Sequence, residues 1–115
     1  MDIKIVNGVA VVTGREILIT DAQSMLDLIA TVQYDHGCDR IALYKEALTE
    51  DFFKLATGLA GEILQKVVNY RKKLAVIGDF AAYTGKPLRD FIYESNKGSA
   101  VFFVRTEAEA VMKLQ

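Results

Sequence analysis

One cysteine, one proline and one histidine occur in the chain, tryptophan is absent, and neither sign of charge dominates. Each scarcity excludes something. A lone Cys38 cannot close an internal disulfide, which suits a reducing compartment and gives the cytoplasm as the expected location. His36 lies two residues before it, but one His and one Cys fall short of a zinc site, so neither metal nor cofactor is expected. No Ser-His-Asp or Cys-His constellation can be assembled around that single imidazole. Fourteen Lys and Arg against fifteen Asp and Glu leave a net charge of -1, too weak a field to gather nucleic acid or an anionic membrane surface. No apolar run approaches the ~20 residues that cross a bilayer, and Met1-Asp2-Ile3-Lys4-Ile5 lacks the layout of a signal peptide.

What is present is an ordered alternation of strand and helix signals through 115 residues, the length of one domain (residues 1–115) with its own core. Ile3–Val6 and Val9–Val12 are β-rich runs around Asn7-Gly8, the dipeptide that best supports a type I′ hairpin turn. Thr20 and Gln23 form a capping box for a first helix with Met25, Leu28, Ile29 and Val32 inward and Gly37 as its stop. Asp39–Tyr44 is a short central strand, Thr49–Phe52 a capped helical turn, and Leu74–Gly78 a buried strand. Pro87 fits the first position of a third helix. Ala100–Val104 is the last strand, and Thr106 with Glu109 starts a fourth helix. Alternation of this kind predicts an α/β fold with a mixed, mostly parallel sheet, an antiparallel N-terminal hairpin and four helices.

The stretch Thr57–Arg71 is the most site-like. Leu59, Ile63, Val67 and Tyr70, flanked by Ala60, Leu64 and Val68, form a core stripe at helical spacing. Glu62, Gln65 and Asn69 fall together on the other side. Thr57 and Gly58 precede the helix, where free amides favour anions, and Thr57 is expected as the N-cap. If the second and third helices are neighbours, Glu94, Asn96 and Lys97 would complete a polar groove with that stripe. Asp79 follows the buried strand at the carboxyl end of the sheet, where open α/β sheets bind ligands, although a turn-capping role is commoner. Phe80 and Tyr83 are either lids over the core or an aromatic patch for a partner.

The element order resembles the STAS domain of bacterial anti-anti-sigma factors. In that family the turn after the central strand carries an Asp-Ser-Ser-Gly-Leu-Gly type motif whose second serine accepts a phosphate. The matching residues here are Leu55, Ala56, Thr57, Gly58, Leu59 and Ala60. Gly58-Leu59 agree directly, Thr57 takes the phosphoacceptor position, and Leu55 and Ala56 replace an acid and a hydroxyl. Over nearly its whole length the chain also resembles a bacterial family known as domain of unknown function 4180. That resemblance rests on Thr57–Glu62, Gln65-Lys66, Asn69–Arg71, Gly78–Phe80 and Glu94–Gly98.

The STAS resemblance implies a regulatory or adaptor domain that binds another protein around Thr57 and the following helix, switched by phosphorylation there. A self-associating homodimer is a further expectation for the partner. The alternative is a small-ligand binder or modest enzyme using Glu62, Gln65, Asn69, Asp79, Glu94 and Asn96. No reaction is identified by the residues themselves.

Overall fold

Asn7 and Gly8 take φ of 50° and 80°, the left-handed pair that a type I′ turn requires, and so join β1 (Asp2–Val6) to β2 (Val9–Thr13) as an antiparallel hairpin. The computed structural model describes residues 1–115. Strands β3 (Arg40–Tyr44), β4 (Lys73–Ile77) and β5 (Val101–Val104) add in parallel, giving the order β1-β2-β3-β4-β5. Successive crossovers of one hand put their helices on one face. Helices α1 (Ala22–His36), α2 (Leu59–Asn69) and α3 (Lys86–Lys97) accordingly bury one face of the sheet with Ala10, Val12, Ile41, Leu43, Leu74, Val76 and Phe103. A single short helix, α4 (Glu107–Lys113), packs on the other face against Val9, Val11, Ala42, Ala75 and Phe102. No helix is long and apolar enough to cross a membrane.

The cap that opens α1 slips by one residue from expectation, while Thr106 caps α4 as expected. Asp21, not Thr20, begins α1: its carboxylate accepts from the Ser24 amide at 2.8 Å while Ser24 Oγ accepts from the Asp21 amide at 3.1 Å. A carboxylate suits the positive helix end better than the neighbouring hydroxyl. Gly37 closes the helix with φ 63°, as expected. Pro87 sits in the first turn of α3, one place later than anticipated.

The core stripe of α2 is narrower than its periodicity suggested. Ala60, Ile63, Leu64 and Val67 are buried, whereas Val68 and Tyr70 are exposed. Val68 lies on the far margin of an eleven-residue helix, and Tyr70 lies past its end, just before Arg71 turns the chain with φ 58°.

Candidate functional site

Three 3-10 turns, Lys45–Ala47, Glu50–Phe53 and Leu55–Thr57, carry the chain from β3 to α2 at the carboxyl end of the sheet. The second of them carries Phe52 and Phe53 into the core. Thr57 ends the last turn and is exposed. The N-cap of α2 is Gly58, at φ 76°, rather than Thr57. A positive φ there costs glycine little and most residues much. Thr57 nevertheless contributes to the helix start. Its Oγ accepts from the Leu59 amide at 3.2 Å and donates back to the Lys54 carbonyl at 2.9 Å or the Asp51 carbonyl at 3.1 Å. One hydroxyl thus ties both ends of the turn to the helix. The amides of Ala60 and Gly61 find no acceptor within the chain, as expected of a first helical turn.

Glu62, Gln65 and Asn69 form the exposed stripe their spacing predicts, with Gln65 Nε2 donating to Asn69 Oδ1 at 2.8 Å. The groove they were expected to share with α3 does not form. Helix α2 packs on α1 and the 3-10 turns, while α3 packs on β5. On α3, exposed Glu94 pairs with Lys97 at 3.7 Å, and Lys97 Nζ stands 4.3 Å from the centre of the Tyr93 ring. Asn96 is committed to the fold: Nδ2 donates to the Phe103 carbonyl at 3.2 Å and Oδ1 accepts from the Phe103 amide at 2.7 Å. Asp79 caps its own turn by accepting from the Ala81 amide at 3.0 Å. None of the five principal surface grooves is lined by Glu62, Gln65, Asn69, Asp79, Glu94 or Asn96. The largest, about 550 Å³, lies on the opposite face between the hairpin turn and α4. The six polar residues therefore share none of these grooves.

Phe80 and Tyr83 are lids. Tyr83 stacks on Phe53 with centroids 5.0 Å apart, and Phe80 meets Phe103 edge-on at 5.5 Å. The Tyr83 hydroxyl donates to Glu50 Oε1 at 3.2 Å. Burial first, and the Glu50 charge second, push the Tyr83 pKa above its ordinary value. Both rings remain partly exposed.

Sequence reasoning missed Lys45. Its stem lies across the bare Cα of Gly78, where an added Cβ would come within 2.6 Å of Lys45 Cδ, and its ammonium stands 5.2 Å from the centre of the Tyr83 ring. The available signal was Gly78 itself, a glycine closing a buried strand, which marks a close approach.

Sequential strand order, three helices on one face and a hydroxyl-glycine turn opening α2 define a STAS-like α/β domain. A crystal structure of a candidate anti-sigma factor antagonist from Thermotoga maritima shares the fold, with a TM-score of 0.51, 15% identity, and 97% of this chain and 92% of that one covered. Residues 6–114 match the family described as domain of unknown function 4180, and the chain belongs to that family. Among curated proteins nothing matches significantly.

Proposed function

We propose that this protein is a cytoplasmic regulatory or adaptor domain that binds another protein through Thr57, Gly58 and the exposed stripe Glu62, Gln65 and Asn69. The observation that carries this reading is the position of the Thr57 hydroxyl, exposed at the start of α2 on a STAS-like fold. The Thermotoga protein of like fold is described as a candidate anti-sigma factor antagonist, and a protein partner is what we carry across. A polar stripe that lines none of the principal grooves suits a macromolecule better than a metabolite. Asp79, Phe80 and Tyr83 border the same carboxyl end of the sheet and complete the docking surface, with Glu94 and Lys97 as outlying contacts.

Phosphorylation of Thr57 supplies the switch in this proposal. A phosphoryl group would replace the proton now donated to the Lys54 and Asp51 carbonyls and bring about two negative charges against those oxygens. The unpaired Ala60 and Gly61 amides would attract it instead. The turn at 51–57 would then have to rearrange, changing the surface a partner meets. Charge reversal on the stripe tests where that surface lies. Affinity capture with Glu62→Arg/Gln65→Arg should lose a discrete partner that the wild type retains. Equal recovery by both proteins would remove α2 from the interface.

A further inference from the structure

The two edges of the sheet are finished differently. On β5 the groups that face β4 belong to Ala100, Phe102 and Val104, since Leu74 and Gly78 donate to the Ala100 and Val104 carbonyls. The Phe103 amide and carbonyl therefore point outward, and Asn96 covers both with its side-chain amide at 2.7 and 3.2 Å. That amide imitates the peptide group of a sixth strand at Phe103 and interrupts the edge there.

Edge β1 has no such cover. Val6 pairs with Val9 across the two-residue turn, so hydrogen bonds to β2 fall at Val6, Lys4 and Asp2, and the amides and carbonyls of Ile3 and Ile5 face away from the sheet. Ile5 is 45% exposed on this edge. We propose that β1 pairs with β1 of a second copy of this chain, antiparallel and about a two-fold axis, to form a continuous sheet of both subunits.

The charges along β1 choose the register. Three antiparallel alignments use the outward groups of Ile3 and Ile5. Centred on Lys4, two ammonium groups oppose each other, which is unfavourable. Centred on Ile5, Lys4 meets only Val6. Centred on Ile3, each Asp2 opposes the other copy's Lys4 twice over, and Ile3 faces Ile3 on the helix-bearing side. This last alignment is the charge-complementary one, and Lys4 already reaches Glu107 of its own α4 at 3.2 Å, which holds it at the edge. An isologous pair of this kind leaves the Thr57 surface of both copies free, so it goes beyond the function proposed above.

Sedimentation velocity on the full chain, from micromolar to about 1 mM, tests the proposal together with amide exchange. The wild type should show a concentration-dependent dimer whose Ile3 and Ile5 amides exchange at least about tenfold more slowly than in Asp2→Lys. Asp2→Lys sets Lys against Lys at both ends and should be monomeric. Asp2 is exposed and outside the core, so that variant keeps its fold. A wild type monomeric throughout the range overturns the proposal. So does a dimer that persists in Asp2→Lys, or one whose Ile3 and Ile5 amides exchange freely.

Discussion

Asn96 was read from the sequence as a binding residue, and the structure gives its side-chain amide a partner within the fold. Phe103 lies seven positions on, beyond the helix end and inside the next strand, so the pairing exists only once α3 has docked on β5. A polar residue near a helix end looks the same whether it faces solvent or a strand edge. Asn96→Ala should cost about 1–3 kcal/mol by leaving both Phe103 groups unpaired, read from the midpoint of urea unfolding, and should raise aggregation through the opened edge. Gly78 is the complementary case, a residue whose type did announce its surroundings. Gly78→Ala should destabilise by about 1–3 kcal/mol through collision with the Lys45 stem. The loss should shrink in a Lys45→Ala background, and equal losses in both backgrounds would break that link. Thr57→Val, which keeps the shape and removes the hydroxyl, should cost about 1 kcal/mol through the lost tie to Lys54 and Leu59.

Every strand and α-helix was foreseen at the level of elements, because period-2 and period-3.6 patterns depend on local sequence alone, but of the three 3-10 turns only the one at Glu50–Phe53 was. Boundaries were less legible where two residues could do one job. Thr20 and Asp21 are both competent caps, and only the position of Ser24 decides between them. The choice has a pH signature. The Asp21 pKa is lowered in the fold, chiefly by the hydrogen bond from the Ser24 backbone and then by the Ser24 side chain. A depressed carboxylate stabilises the fold above its unfolded value, near 3.8, and that contribution disappears as pH falls through the lower folded value. Thermal unfolding of wild type and Asp21→Asn should therefore differ at neutral pH and converge on acidification below about pH 4. A constant difference across that range would show that the Asp21 charge has no part in the cap. Within α2, the outward stripe was legible, but which marginal residues stay exposed depended on how α1 packs beside it.

At the scale of the whole molecule, sequential strand order segregates functions to different places. Three helices cover one face, so the start of α2 opens at the carboxyl end of the sheet, and the strand edges lie to either side. The fold class followed from alternation of strand and helix signals. The supposed groove between α2 and α3 did not, since helix-to-helix spacing is set by side chains that no periodicity reports. What remains of the candidate site is a surface centred on Thr57, and its central claim is that charge at this hydroxyl controls partner binding. Quantitative mass spectrometry of lysate captured on wild-type, Thr57→Ala and Thr57→Glu proteins tests it most directly. One discrete protein should be held by wild type and Thr57→Ala and lost by at least about tenfold with Thr57→Glu, a change of about 1.4 kcal/mol or more in binding. Equal recovery of the same partner on all three proteins would contradict it.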